Sequence, residues 1–192
     1  MKTLRKTAEE AYLKYANKII NRETWIDGFI SGIQYKKEYP QSIELCGLLW
    51  DTENLAIGGY EKDGHHYYTW EEAMDAAMTV GKRLPSCQEW KALCDLGSTW
   101  DDELKGRWFG GNHDSDHKGS LFLPIAGLSS SKGLGYRTKM IGTSSNGYYW
   151  SSSPYYGGYG NAGYLYFYSG NVYPLYSTNR AYGFSVRCVQ NK

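Results

Sequence analysis

The hydrophobic positions change period along this chain. Over residues 1–38 they recur at helical spacing. Thr7 with Glu10 forms a capping box, and Tyr12, Tyr15, Ala16, Ile19 and Ile20 follow on one face. Asn21 interrupts, and Trp25, Phe29, Ile30 and Ile33 form a second stripe. The pattern predicts an N-terminal helical hairpin over residues 1–40. An apolar stripe on so short a unit needs a cover, so it packs on the main domain or serves as an attachment or oligomerisation module. The stretch KKEYPQS at 36–42 reads as a linker.

From residue 43 the periods shorten. Residues 43–61 read as short strands with a turn at Gly58-Gly59. Two capped helices follow. Thr69 with Glu72 opens one over about 69–80, which Gly81 stops. Ser86 with Glu89 opens another over about 86–96, which Gly97 stops. Beyond Ser98 no helical period returns. Residues 100–120 read as a polar, Gly-rich loop, and 120–128 as a buried strand broken by Pro124. Alternation marks strands at 147–152, 163–168 and 183–189. Along Tyr164, Tyr166 and Tyr168, with Leu165 and Phe167 between, it predicts tyrosines outward and apolar side chains inward.

Composition changes the picture in the last third. Eleven of the 19 tyrosines lie between Asn146 and Val189, interleaved with Ser, Gly and Asn, and only Arg180 and Arg187 are charged there. Tyrosine supplies a large, stiff contact area with a polar tip, while Ser, Gly and Asn supply adaptable hydrogen bonding. A catalytic centre needs titratable groups, and this stretch has few. The composition points to recognition.

Charge and chemistry add little. A net charge of +1 gives no field to draw the chain to nucleic acid or an anionic membrane. The N-terminus lacks an apolar signal-type segment. The expectation is synthesis in the cytoplasm and association with a virus particle, or else export by another route. Cys46, Cys87, Cys94 and Cys188 have no metal-type spacing, so buried thiols are expected, with a Cys46–Cys188 disulfide as the alternative in an oxidising medium. His113, Asp114, Asp116 and His117 form the strongest metal-like grouping, but their Gly-rich surroundings favour a solvated loop. His65 and His66 are adjacent and point apart in a strand. No nucleophile–base grouping and no phosphate-cradling loop is present. No enzymatic activity, cofactor or metal is expected.

Six motifs in order carry a resemblance over about residues 43–190: GLLW at 47–50, YTWEEA at 68–73, GKRLPSCQEW at 81–90, FLPIAG at 122–127, GYYWSSS at 147–153 and GFSVRCV at 183–189. Together they resemble the Fibrobacter succinogenes major paralogous domain, a branch of the C-type lectin-like superfamily related to formylglycine-generating enzymes. The resemblance implies an α+β, C-type lectin-like fold over 43–192, with two helices, small antiparallel sheets, long loops, and a first strand near GLLW pairing with the last. The calcium-binding motifs of classical lectins are absent, since Trp150 is followed by Ser151 and Ser152.

The C-terminal stretch also resembles the variable region of proteins diversified by retroelements, over about 150–182. Such systems scatter Asn codons into Tyr, Ser, Gly, Asp, Thr, Ala and Leu codons. Tyr155, Tyr156, Gly157, Gly158, Tyr159, Gly160, Asn161, Gly163, Tyr164, Tyr166, Tyr168, Tyr173, Leu175, Tyr176, Ser177, Thr178, Asn179, Ala181 and Tyr182 fit that scatter. Trp150, Pro154, Leu165, Phe167, Val172, Pro174, Arg180, Gly183 and Phe184 read as framework between them. Among the scattered positions, Tyr155, Tyr156, Tyr159, Asn161, Tyr164, Tyr166, Tyr168, Tyr173, Tyr176, Ser177, Asn179 and Tyr182 are the expected ligand contacts.

The implied function is a diversified binding protein, such as a phage or prophage receptor-binding component. Its ligand would be a protein or glycan on a target cell, and its N-terminal helices would join a phage tail or particle. No nucleic-acid or membrane partner is expected. The alternatives are a fixed assembly module of a particle or cell surface and, behind it, an oxidase of the formylglycine-generating kind.

Overall fold

The computed structural model describes residues 41–111, 117–131, 137–141, 145–155, 157 and 160–192. The predicted N-terminal helical hairpin lies outside them. Two units divide the chain: Met1–Tyr39 with Asp114–Lys118, and Pro40–His113 with Gly119–Lys192. All that follows concerns the second.

The expected α+β class does not hold. Strands dominate the described residues, in five small antiparallel sheets, and only two short helices accompany them. β1 (Ser42–Leu45), β2 (Leu48–Asp51) and β13 (Val189–Asn191) form one sheet. β3 (Tyr60–Lys62) pairs with β4 (His65–Tyr67). β5 (Ser98–Asp101), β6 (Gly106–Phe109) and β7 (Leu121–Pro124) form a third. β8 (Leu128–Ser131) pairs with β9 (Arg137–Ile141), and β10 (Asn146–Pro154), β11 (Asn161–Tyr168) and β12 (Val172–Asn179) form the longest sheet.

The stretch predicted as a polar loop explains much of the difference. It contains the end of β5 and all of β6, and all four residues of β6 are buried. A strand covered on both faces has no polar alternation to betray it. The terminal strand is also shorter than expected. Only Val189–Asn191 is regular, pairing with β2 through Val189 opposite Trp50, while Phe184 and Ser185 make isolated bridges to Tyr68 and Tyr149.

Both helices begin where their capping boxes place them. In α1 (Trp70–Thr79) the Thr69 hydroxyl accepts from the Glu72 amide, and the Glu72 carboxylate accepts from the Thr69 amide at 2.8 Å. In α2 (Cys87–Asp95) Ser86 and Glu89 repeat the arrangement. Each reciprocal pair satisfies two amides that have no partner inside the helix.

The sheet β10-β11-β12 stands between two apolar clusters. On its inner face Tyr149, Leu165 and Phe167 join Trp50, Trp90, Leu93, Phe109, Leu121 and Leu123, with α2 packed against all three strands. On its outer face Trp150 and Ala162 join Phe184, Val186, Ala73 and Ala77. The outer cover ends there, and the rest of that face is the surface described next.

Candidate ligand-binding surface

Alternation along β11 runs half-buried, buried, half-buried from Tyr164 to Tyr168. Leu165 and Phe167 are fully enclosed in the inner cluster. Tyr164, Tyr166 and Tyr168 therefore share the outer face, as their spacing predicted.

β12 adds two rings to that face by an irregular route. Tyr173 and Tyr176 are three apart, so a regular strand would send them to opposite faces. The β11–β12 register shifts between Tyr164 and Tyr166: Tyr176 lies opposite Tyr164, and Tyr173 opposite Tyr166. Pro174 and Leu175 are accommodated in the bulge, and both tyrosines emerge on the same side. Their ring centroids are 4.9 Å apart with planes 15° from parallel. Pro174 suits this place, since β12 is an edge strand and its missing amide forfeits no ladder bond.

The outcome is a stack of tyrosine rings. Tyr166 lies 5.7 Å from Tyr173 and 5.9 Å from Tyr176, at interplanar angles of 15° and 9°. Tyr168 extends the stack, 6.4 Å from Tyr173 at 25°. Asn171 Nδ2 donates to Tyr168 Oη at 3.2 Å, and Tyr166 Oη donates to Asn146 Oδ1 at 3.4 Å.

The remaining predicted contacts divide. Tyr164 and Tyr182 pack on Phe184, at 4.8 and 6.2 Å, and Tyr164 also meets Trp150 at 6.2 Å. Burial pushes the Tyr164 hydroxyl up to about 12. That ring is more core than contact surface. Ser177 lies opposite the inward-facing Gly163. Asn179 Oδ1 accepts from the Ala181 amide at 2.9 Å, an Asx turn that shapes the chain leaving β12. The Asn161 carbonyl accepts from Arg180 Nε at 3.2 Å and from the Tyr155 amide at 3.1 Å. Tyr155 is exposed, and Tyr156 and Tyr159 lie outside the described residues.

Sequence reasoning missed Tyr148. Its ring lies 5.1 Å from Tyr166 and 5.2 Å from Phe184, joining the open stack to the covered part of the face. The signal was its position two residues before Trp150, which gives both the same face of β10. Arg180 anchors the surface from below. Its guanidinium sits 4.1 Å over the Trp70 ring and 3.6 Å from Glu71 Oε1, tying the end of β12 to the start of α1.

The other candidate chemistry is dispersed. His113, Asp114 and Asp116 lie outside the described residues. Among the described residues no three His, Cys, Asp or Glu side chains gather as metal ligands. His65 packs edge-on to Tyr67 and His66 stacks on Tyr68, so the two point apart as expected. The thiols are free, with Cys46 exposed in the β1–β2 turn and Cys188 buried, so the alternative Cys46–Cys188 disulfide is not formed. Cys87 Sγ lies 3.2 Å from Ser151 Oγ, beneath β11.

Two predictions test this division into contact surface and core. Tyr155→Ser and Tyr176→Ser remove rings that are 48% and 46% exposed. Each is expected to change unfolding free energy by less than about 1 kcal/mol in denaturant titration. A loss several times larger would make these rings part of the core.

The second concerns alkali. Burial raises the hydroxyls of Tyr67, Tyr68, Tyr149 and Tyr164 from 10 to about 12. Their neutral forms are favoured in the folded state. The stability they contribute is complete below the unfolded value and is lost as pH rises from 10 towards 12. Loss of tertiary structure is expected in that window, with phenolate absorbance of these four rings rising alongside it. All the tyrosines titrating together about a midpoint of pH 10 with the fold intact would contradict the burial of these four.

Compared with protein-family models, curated proteins and solved structures, the chain matches none of them.

Proposed function

We propose that this protein binds a macromolecular ligand through the outer face of β10-β11-β12, and that a retroelement diversifies this face. One observation carries the reading. Tyr166, Tyr168, Tyr173 and Tyr176 form an uncharged ring stack on a sheet whose other face is packed core. Rigid tyrosines on a braced support make large contacts at low entropic cost. The support is independent of the rings, so outer side chains can change while Leu165, Phe167 and Tyr149 hold the sheet. The codon scatter over 155–182 is what suggests diversification rather than a fixed surface. In a phage or prophage setting this face would engage a target-cell receptor, and the N-terminal segment would attach the protein to the particle.

A second reading has its own support. Leu175 is 50% exposed and the adjacent Tyr176 46%, and exposed apolar side chains of this kind also suit a permanent assembly contact. Sequencing the locus across many cells of one population separates the two. Substitutions concentrated at Tyr168, Tyr173, Leu175, Tyr176 and Asn179, with Leu165, Phe167 and Trp150 constant, are expected for a diversified binder. An invariant stretch would reject diversification and leave the assembly contact.

A further inference from the structure

Arginine keeps its charge wherever the fold places it, because the guanidinium does not give up its proton in proteins. A buried one must bring acceptors with it or leave its donors unmet. Arg83 brings Glu89, which it holds through both outer nitrogens at 2.7 and 2.8 Å. Arg180 has Glu71 and the Trp70 ring, and Arg187 has Asn54 and the Asp51 carbonyl. Arg107 is the exception. It is 8% exposed, and its Nε is enclosed with no hydrogen-bond partner. Among the described residues no carboxylate pairs with its guanidinium.

The register of β6 explains how it comes to be there. Arg107 and Phe109 alternate with Gly106 and Trp108, so they share the inner face. Arg107 lies opposite Trp100 on β5 and Leu123 on β7, and both belong to the inner cluster or pack against it. The aliphatic stem therefore runs in an apolar row, as such stems do. The head comes near the last turn of α2. Burial and Asp95 push the Cys94 thiol up to about 12, and Arg107 and Lys91 both oppose that rise. Two cations thus flank one thiol. Burial in turn lowers the Arg107 pKa, and Cys94 opposes that shift.

The carboxylates of this neighbourhood are engaged elsewhere. Asp95 accepts from Lys91 Nζ at 2.6 and 2.9 Å. Asp101 accepts from the Glu103 and Leu104 amides and from Trp108 Nε1, and Asp102 accepts from Trp100 Nε1. The Lys91–Asp95 pair is exposed and spaced i,i+4, so it holds Lys91 only weakly. Cys94 and Trp100 are half-buried and Lys91 is exposed, which puts Arg107 at the rim of the cluster and not at its centre.

A guanidinium fork matches two oxygens of a carboxylate or phosphate and holds them with parallel hydrogen bonds. We propose that Arg107 anchors a second binding site, for a small molecule bearing a carboxylate or phosphate, with Lys91 as the second cation at its mouth. The site lies in a different sheet from the tyrosine face and does not rest on the binding reading above. Its anion neutralises a charge that the fold otherwise buries unpaired, so occupancy stabilises the chain.

Thermal unfolding of the full chain tests this, with acetate or inorganic phosphate replacing chloride at constant ionic strength. The native chain is expected to show a rise in melting temperature that saturates, of roughly 3–6 °C once the anion stands at about ten times its dissociation constant. Arg107→Met is expected to lose the saturating rise and keep only the gradual, non-saturating effect that excluded salts have on any protein. Arg107→Lys keeps the stem and charge without the fork, and is expected to need about tenfold more anion; it serves if the Met variant does not fold. Lys91→Gln changes an exposed side chain, so it is expected to fold normally and to need several-fold more anion. Whichever of acetate and phosphate acts at the lower concentration identifies the group the site takes. A native chain with no saturating rise in either anion would overturn the inference, and so would Arg107 and Lys91 variants that respond as the native chain does.

Discussion

Asn54→Leu is expected to destabilise the protein by about 3–5 kcal/mol, because it leaves a buried charge without its main acceptor. Arg187 is 1% exposed. Its Nε and Nη2 donate to Asn54 Oδ1 at 3.1 and 2.7 Å, and Nη1 donates to the Asp51 carbonyl at 2.8 Å. Burial lowers the Arg187 pKa, while Tyr149, Glu53 and Asp51 oppose that shift. Asn54 Nδ2 also reaches Tyr149 Oη at 3.2 Å, and that hydroxyl donates to the Pro124 carbonyl at 2.7 Å. The network links the chain after β2, the segment leading into β13, β7 and the inner face of β10. Tyr149 in turn stacks on Phe167 at 6.0 Å, directly beneath the tyrosine sheet. Leucine at position 54 would remove an acceptor from two guanidinium nitrogens and a donor from Tyr149. For a unit of this size the loss corresponds to a melting temperature lower by roughly 10 °C. Arg187→Met added to Asn54→Leu is expected to recover part of the loss, since the uncompensated charge is then gone. Calorimetry on both variants checks this. A single variant within about 1 kcal/mol of the native chain would show that Asp51 and water suffice to hold the guanidinium.

Which features the chain displayed and which it hid follows from the range of the interactions. The helix starts were legible because a capping box is local: Thr69 with Glu72 and Ser86 with Glu89 placed both within a residue. The outward row Tyr164, Tyr166 and Tyr168 was legible because a half-covered strand writes its faces into its own alternation. β12 was not. Its tyrosines are out of phase with a regular strand, and only pairing with β11 and the bulge at Pro174-Leu175 bring them to one side. β6 was hidden by burial on both faces, and the α+β class failed with it. The role of Arg187 could not be read from its own neighbours, because its acceptor lies at Asn54 in a distant part of the chain. The division of the tyrosine-rich stretch into open stack and closed core was equally out of reach. Tyr164 and Tyr166 look alike in sequence, and only Phe184 and Trp150 make one of them core.

The same limit would bound the proposed diversification, most sharply at Gly163. The codon scatter treats it as one more variable position, and Tyr is among the residues such a codon yields. Gly163→Tyr is expected to abolish folding. Gly163 is buried on the inner face of β11, where the start of α2 meets the sheet. A Cβ built there would lie 2.2 Å from Cys87 Sγ and 2.9 Å from Ser151 Oγ. Neither neighbour is free to yield. Ser151 Oγ donates to the Gly163 carbonyl at 2.8 Å, and the Cys87 amide donates to Ser153 Oγ at 3.0 Å, so the thiol is held by the helix start itself. Gly163→Ala alone is expected to cost about 1–3 kcal/mol by overpacking, and a tyrosine ring would have to lift α2 from the sheet. Cys87→Ala removes the closer atom and is expected to restore most of the loss in Gly163→Ala but not in Gly163→Tyr. The two background variants and the double variant, compared by thermal unfolding, measure the coupling directly. Gly163→Tyr melting near the native temperature would show that α2 does not dock there. If it fails to fold, diversification of the kind proposed would lose a protein at each event that alters codon 163, and expressed variants would carry glycine there whatever their outer rings became.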